Sequence, residues 1–364
     1  MSILGNPIML GSGGGNELIV TAPTGSTITA TKGSVTKTAT EKNGTWTFKG
    51  LEAGDWEIVA TKGSDIKTIT VTITNESAEI HYRPNFTYTG DWEWYNEEQT
   101  ILKLKTSGTI TFDSDFPADV FVVGGGASGA GSRANYLSQV SGGGGGGGYT
   151  KTQRVSFTKN TSYPAIIGAG GASVSNNDYG SSRDGNVGGE TSINGVSASG
   201  GKKGTAGYGG QTVDYWSGAG YGGNGGSGGG ASYTFNKSNP TAAYSYHGYG
   251  GSDGGNGEFT RDSHFPHNGG TGQGTTTRAF GEPTGELFAG GGGGASRDFD
   301  QTKNLPGNGG AGGGGNGGGV NGTKEATSGK ENTGGGGGGA YYYSSNILHY
   351  SGAGGSGVIL IRFV

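Results

Sequence analysis

The sequence predicts an all-β protein in which one β-sandwich is followed by a second sandwich that continues into a bundle of polyglycine II helices. Three observations support this prediction. Short segments of alternating apolar and polar residues occupy the first part of the chain, glycine accumulates after Gly124, and an apolar segment closes the chain at 357–364. Such alternation is typical of strands that bury one face.

The glycine runs at 142–148, 290–294, 312–315 and 334–339 determine how the second part is interpreted. Glycine loses more backbone entropy on folding than any other residue, so these runs are ordered only if they pack against one another. In a polyproline II-type helix the N–H and C=O groups point sideways and can bond to neighbouring helices. Disorder is the alternative interpretation. The glycines expected to form the scaffold are Gly142, Gly145, Gly148, Gly290, Gly294, Gly312, Gly334 and Gly339.

Composition excludes several classes of protein. All but 13 of the 87 glycines lie from Gly124 onward, but the strict three-residue period and high proline content of collagen are missing. The net charge of −4 does not favour binding to nucleic acid or to an anionic membrane. Without cysteine there is no disulfide or thiolate metal site. We therefore expect no cofactor, no nucleic-acid partner and no membrane insertion.

Taken in order, residues 1–15 join an apolar tip to a glycine linker, which is either a frayed terminus or a peptide that docks on a neighbouring protein. The first residues lack the pattern of a signal peptide, so synthesis in a cytoplasm without one is expected. A β-sandwich is predicted over 16–84. Its strands are expected at 17–21, 27–31, 45–48, 56–60 and 68–73.

The rest of the chain, 85–364, is predicted to be one glycine-rich domain. Aromatic residues at 85–95 are expected to seal the junction between the domains, because each ring buries a large apolar area. A β base is predicted from 85–170 plus 355–364, and the polyglycine bundle with its loops from 124–354. Base strands are expected at 100–105, 108–112, 119–123, 149–157 and 162–168, with the C-terminal strand beside the early ones.

No motif predicts catalysis. Gly124, Gly126 and Gly129 fit a dinucleotide-binding pattern, but neither a full helix nor an acidic residue follows at the required distance. His264 and His267 could share a zinc ion, although they flank a turn rather than a helix face. Asp113, Asp115 and Asp119 are predicted to lie in a solvated turn, since they lack the glycine and distal glutamate of a calcium loop. The expectation is a protein that is not an enzyme.

Loops between the glycine runs are the candidate binding site, because they place aromatic side chains beside Asn, Ser and His. Tyr and Trp provide rigid contact area in binding loops, and small polar residues provide hydrogen bonds. The alternative is that the rings only fill gaps around the glycine helices. The candidate receptor-binding residues are Tyr215, Trp216, Tyr221, Tyr244, Tyr246, His247, Tyr249, His264, Phe265, His267, Tyr341, Tyr342, Tyr343 and His349.

Two stretches resemble known families. Residues 43–56 (NGTWTFKGLEAGDW) resemble a strand-turn-strand of small immunoglobulin-like spacer domains on surface proteins. The second resemblance is to the glycine-rich domain of bacteriophage and prophage tail proteins, and it covers about 86–364. It is carried by residues 107–112 (SGTITF), 119–126 (DVFVVGGG), 148–150 (GYT) and 350–363 (YSGAGGSGVILIRF); the opening 1–15 is also similar to such proteins.

The resemblance implies a virion protein of the tail fibre or baseplate, an adhesin that binds a bacterial surface glycan or protein and contacts other tail proteins through its N-terminus. It is compatible with a homo-oligomer. Two alternatives remain open: a structural tail or baseplate decoration without host binding, and a polysaccharide-degrading tail spike, which needs two carboxylates close together in a groove.

Overall fold

The computed structural model describes residues 6–10, 17–22, 25–42, 44–73, 78–97, 99–134, 139–175, 183–206, 220–232, 277–295, 306–319, 325–341 and 349–363. Within these ranges the chain is all-β, as predicted, and its regular non-strand element is a short 3₁₀ helix at Ala279–Gly281.

The first sandwich contains nine strands. They are β1 (Asn6–Leu10), β2 (Glu17–Thr21), β3 (Thr27–Lys32), β4 (Val35–Thr38), β5 (Glu41–Lys42), β6 (Thr45–Lys49), β7 (Gly54–Lys62), β8 (Asp65–Ile73) and β9 (Ala78–Arg83). One sheet has the order β1-β9-β2-β6-β5 and the other β4-β3-β7-β8. Their inner faces share one core, in which Leu18 and Trp46 from the first sheet join Trp56 and Ile58 from the second.

All five strands predicted for this region are confirmed, as β2, β3, β6, β7 and β8. Docking of residues 1–15 on a neighbouring protein stays a prediction, and within this segment residues 6–10 form β1 and pair antiparallel with β9. The same strand β9 pairs parallel with β2, so it connects β1 to the rest of the sheet. Residues 6–10 are therefore part of this sandwich.

The second sandwich begins three residues after β9. Its strands are β10 (Phe86–Tyr88), β11 (Trp92–Trp94), β12 (Ile101–Leu104), β13 (Gly108–Phe112), β14 (Phe116–Val123), β17 (Thr150–Phe157), β18 (Ser162–Ile166), β19 (Thr191–Ile193), β20 (Val196–Ala198) and β21 (Val358–Phe363); β15 (Arg133–Ala134) and β16 (Gln139–Val140) form a separate hairpin. The two sheets have the orders β10-β13-β18-β19-β20 and β11-β12-β21-β14-β17.

The C-terminal strand β21 lies between β12 and β14 and pairs antiparallel with both. This confirms the predicted closeness of early and late strands. The sandwich core contains Phe112, Phe157 and Phe363, and the Phe112 and Phe157 ring centroids are 4.9 Å apart. The base of the glycine-rich region is thus closed by the last strand of the chain.

The run 142–148 lies inside the glycine bundle, and its hydrogen bonds repeat every three residues. Each set of donors reaches one neighbouring segment: Gly142, Gly145 and Gly148 donate to 334–340, Gly143 and Gly146 to 202–205, and Gly144 and Gly147 to 227–230. The carbonyl groups of 142–149 accept hydrogen bonds from three further segments, 292–295, 124–130 and 223–226. The run therefore has six hydrogen-bonded neighbours, and its repeat is that of a helix with three residues per turn.

The segment 277–289, which the sequence analysis included among the loops of the bundle, covers the outer face of β14 and β21. Phe280 and Phe288 pack on Phe121, with ring centroids 6.0 and 5.4 Å away. Arg362 on β21 lies over the Phe280 ring at 4.3 Å and forms ion pairs with Glu282 and with Asp119, the latter at 3.0 Å. This segment links the sandwich to the bundle.

We expect Gly145→Ala to destabilise the protein strongly. A Cβ at this position would lie 2.2 Å from the Ala127 carbonyl oxygen, so a backbone segment would have to move. Overpacking that moves the backbone typically costs about 1–3 kcal/mol and occasionally more, and a contact this far below any normal Cβ distance should lie at or above the upper end of that range. The control is Gly195→Ala, where a Cβ meets nothing within 4 Å and the positive φ of 76° costs about 1–2 kcal/mol. Thermal unfolding that ranks the two variants equally would contradict close packing of the bundle.

A second expectation concerns acid stability through Asp119. The hydrogen bond from Arg154 (2.8 Å), with a further contribution from Arg362, lowers the pKa of this carboxyl below its ordinary value. A depressed folded-state pKa stabilises the fold above the unfolded pKa and ceases to do so as pH falls through the folded pKa. Asp119→Asn should therefore cost about 1 kcal/mol at neutral pH. The difference from wild type should shrink below about pH 4.

Unfolding curves collected between pH 7 and pH 2 test this expectation. Glu52→Gln serves as the control, because Glu52 is exposed and none of its described neighbours forms an ion pair with it. A gap between wild type and Asp119→Asn that stays constant down to pH 2 would show that the ion pairs of Asp119 do not stabilise the fold.

Candidate functional site

Described segments of the bundle run either away from the base sandwich or back toward it. The segment that follows β14 runs outward from Gly124 to Gly131, and the run 142–148 returns to β17. The antiparallel pairing of these two segments is seen in the bonds from Ala127 to Gly146 and from Ala130 to Gly143, both 2.9 Å. The end of the bundle away from the base, where outward segments finish, is called the distal end below.

Hydrogen bonds and bridges connect the segment ends at the distal end. Gly142 forms a bridge with Ala206, and Ser175 forms one with Tyr350. Further contacts join Gly131 to Arg183, Ser232 to Gly220, Ala295 to Gly142, Gly307 to Gly294 and Gly318 to Gly339. The distal end therefore collects segment ends from most of the glycine-rich chain.

Six stretches that the structure does not describe are flanked on both sides by residues at the distal end. They are 135–138, 176–182, 207–219, 296–305, 320–324 and 342–348. A seventh, 233–276, leaves it here after Ser232. At the opposite end the chain turns tightly next to the base, as at Gly312 and Gly334, whose φ values are 88° and 68°. The described residues that flank these six stretches thus lie on one side of the bundle.

The predicted scaffold glycines are all described and all closely packed. A Cβ on any of the eight would lie 1.8 to 2.6 Å from a backbone carbonyl oxygen of another segment. Such distances leave no space for a side chain, so glycine is required at each position. These residues hold the segment ends in place without contributing chemistry of their own.

Tyr221 and Tyr350 are exposed aromatic side chains on the segments that reach the distal end. Tyr221, a predicted site residue, is 46% exposed, and its backbone N–H donates to Thr205 Oγ1 at 3.1 Å. Tyr350, which was not among the predicted residues, is 51% exposed. Nothing in the sequence predicts that Tyr350 is more exposed than the neighbouring Tyr341 and His349.

Tyr341 and His349 differ from the prediction, because both are buried, with 3% and 4% exposure. Their ring centroids are 4.6 Å apart at an angle of 41°, and His349 Nδ1 lies 3.0 Å from Glu325 Oε1. Burial against each other argues against direct contact of either ring with a receptor. They pack at the ends of the stretch 342–348, as the gap-filling alternative expects.

The remaining candidates lie outside the described residues. They are Tyr215, Trp216, Tyr244, Tyr246, His247, Tyr249, His264, Phe265, His267, Tyr342 and Tyr343. Each belongs to one of the stretches that leave the described structure at the distal end. Their role as binding residues stays a prediction.

One ion pair lies on the described segments near the distal end. Lys203 Nζ lies 3.0 Å from Asp184 Oδ2, and Asp184 Oδ1 also accepts a hydrogen bond from the Ala206 backbone N–H at 3.2 Å. These contacts connect two adjacent segments through side chains. The charges of Lys203 and Asp184 cancel, so this pair does not attract a charged ligand.

Asp113, Asp115 and Asp119 are each held by protein groups. Asp113 accepts from the Asn85 backbone and side chain, Asp115 accepts from the Lys159 backbone N–H at 2.6 Å, and Asp119 pairs with two arginines. In the part of the chain that the structure describes, no three His, Cys, Asp or Glu side chains are placed to hold a metal ion. No helix within the same residues has the length and hydropathy needed to cross a membrane.

The burial of Tyr341 leads to a prediction that separates packing from binding. Tyr341→Ala should lower the unfolding free energy by about 3 kcal/mol, because it removes a buried ring. The matched variant Tyr221→Ala removes an exposed ring and should change stability by no more than about 0.5 kcal/mol. Thermal unfolding of the two proteins measures this. If Tyr341→Ala melts like wild type, the ring is not part of the packed interior.

Comparison with known proteins agrees with the composition of the bundle. A family model described as a glycine-rich domain matches residues 105–364. No curated protein matches the sequence significantly. The matched region includes most of the second sandwich and every segment of the bundle, which is well over half of the 364 residues. The chain therefore belongs to the glycine-rich domain family.

Proposed function

We propose that the glycine segments are polyglycine II helices and that the chain is a receptor-binding protein of a bacteriophage tail, located at a fibre tip or on the baseplate. It attaches the virion to a bacterial surface glycan or protein through loops at the distal end of the bundle. It acts without catalysis.

The observation that carries this proposal is the arrangement of the segment ends. Six stretches of non-scaffold sequence start and finish at one end of a closely packed bundle, and a seventh starts there. Binding residues are commonly found on loops that a rigid scaffold positions. With many such stretches at one end, the bundle can present several loops to a partner surface. This arrangement suits surface binding better than the enclosure of a catalytic centre.

The sequence of these stretches supports recognition of a surface. Trp216 and 10 of the 18 tyrosines of the chain fall within them, beside Asn, Ser and His residues. Tyrosine provides large contact area at low entropic cost, and its ring also suits the apolar face of a sugar. Acidic and basic residues are mixed in these stretches, so no electrostatic attraction to a strongly charged receptor is expected.

Rigidity of the bundle has a functional reason in this proposal. Loops whose ends are held in place lose less conformational entropy on binding than loops on a flexible tether. Several copies on one particle would convert weak individual contacts into firm attachment through a high effective concentration. The first sandwich is assigned as an immunoglobulin-like spacer, on the basis of the resemblance of residues 43–56.

The proposal is tested by measuring attachment to cells. Fluorescently labelled protein should stain susceptible strains from a panel of bacteria and block adsorption of phage to them. The variant with Tyr244, Tyr246 and Tyr249 all changed to Ala should lose staining by at least about tenfold, since each ring contributes more than about 1 kcal/mol if it is a contact residue.

The control is Ile66→Ala on the first sandwich, which removes a side chain that is 62% exposed and far along the chain from the distal stretches. It should stain like wild type. Failure to stain or protect any strain would contradict receptor binding and favour a structural decoration of the tail. Release of oligosaccharide from stained cells would favour the polysaccharide-degrading alternative.

A further inference from the structure

A small cavity lies on the base sandwich, on the side of the glycine-rich region opposite the distal end. It has a volume of about 70 Å³ and is formed where β10, β13 and the turn at Asn160 meet. The lining residues used below are Asn85, Phe86, Thr87, Phe112, Asp113 and Asn160. Most of the lining is apolar, and Phe86 provides its accessible ring, because Phe112 behind it, with ring centroids 6.1 Å apart, is only 1% exposed.

The carboxylate of Asp113 is fixed within this cavity. It is 7% exposed, its Oδ1 accepts from the Asn85 backbone N–H at 2.9 Å, and its Oδ2 accepts from Asn85 Nδ2 at 2.7 Å. Each carboxylate oxygen can accept a second hydrogen bond. Asp113 therefore offers an oriented acceptor to a donor that enters the cavity.

The side chains of Asn160 and Thr87 have unused hydrogen-bonding capacity. Asn160 is held by its backbone, whose N–H donates to Phe112 O at 2.8 Å with φ of 56°. Neither its amide group nor the Thr87 hydroxyl forms a hydrogen bond with any residue that the structure describes. An amide offers both a donor and an acceptor. The cavity thus combines an aromatic wall with free polar groups at its rim.

Size and charge limit what can enter. The volume is about half that of the ~150 Å³ apolar cavity that admits a benzene ring, so a whole sugar ring does not fit but a group of a few heavy atoms does. Asp113 disfavours an anion. A divalent cation is also disfavoured, because no other acidic side chain lines the cavity. The remaining fit is a small neutral group with both an apolar and an amide-like part.

We propose that this cavity binds the acetamido group of an N-acetylated amino sugar. The methyl group packs on Phe86, the amide N–H donates to Asp113, and the carbonyl oxygen accepts from the Asn160 amide. The inference deepens the proposed function, on which its biological meaning rests: the sugar belongs to a surface polysaccharide, and the base provides a contact separate from the distal end.

The test uses the full chain and the free sugar N-acetylglucosamine as the probe. Saturation-transfer NMR should show the acetyl methyl protons receiving the strongest signal, and titration should give binding that glucosamine and glucose do not match. Asn160→Gly removes the amide while keeping a backbone that glycine adopts freely. It should weaken binding about fivefold to tenfold, the effect of one lost hydrogen bond.

Asn332→Gly is the matched control, because Asn332 has the same φ of 56° and lies in a turn of the bundle away from the cavity. It should bind like wild type. Equal binding of glucose and N-acetylglucosamine would overturn the proposal, as would unchanged binding by Asn160→Gly or an equal loss in both glycine variants. A second variant, Phe86→Leu, should reduce the methyl signal; an unchanged signal would also overturn it.

This outcome is distinguishable from the outcome of the cell-staining experiment. If N-acetylglucosamine binds as described but no strain is stained, the cavity is a sugar site and the proposed function fails. If strains are stained through the distal tyrosines but the free sugar does not bind, the proposed function stands and the cavity assignment fails.

Discussion

The structure depends on backbone hydrogen bonding between segments that have no side chains to separate them. In an ordinary domain the apolar side chains set the distance between elements, and their burial provides the main stabilisation. In this bundle a Cβ on a scaffold glycine would lie within 2.6 Å of a carbonyl oxygen, so the backbones themselves are in contact. The stabilisation has to come from hydrogen bonds and close packing, set against the large entropic cost of ordering glycine.

The two sandwiches supply what the glycine segments lack. Each has a conventional apolar core, and β21 returns between β12 and β14 to close the base. The segment 277–289 adds aromatic packing and the ion pairs of Arg362 on the outer face of that sheet. Since each glycine segment has one of its ends on this base or next to it, the core of the sandwich fixes where the bundle begins. The distal end is then placed by the length of the segments.

Much of the fold could be predicted from the sequence, because alternation reports directly on half-buried strands. Strands β2 and β13 match their predicted bounds, whereas β4 (VTKT) was missed because it has no alternating apolar face. The association of glycine runs could also be predicted, but their neighbours could not. One glycine run resembles another, so the sequence contains no side-chain pattern that says which run bonds to which.

The candidate site was less predictable for a related reason. An aromatic residue beside a glycine-rich segment can protrude, as Tyr221 does, or fill a gap, as Tyr341 does against His349, and adjacency to glycine alone does not separate the two cases. The base cavity could not be predicted from a sequence motif, since Asn85, Asp113 and Asn160 are distant in the chain and come together through β10 and β13.

The three-residue repeat of the central run restricts how such a protein can change its length. Deleting one glycine from 142–148 would shift the residues after it by one position, so that Tyr149 and β17 would leave the run a third of a revolution out of phase with the base sandwich. Deleting three would restore the match. Gene changes in the runs should therefore be tolerated in multiples of nine bases, while the stretches between them are free of this rule and can diverge at any length.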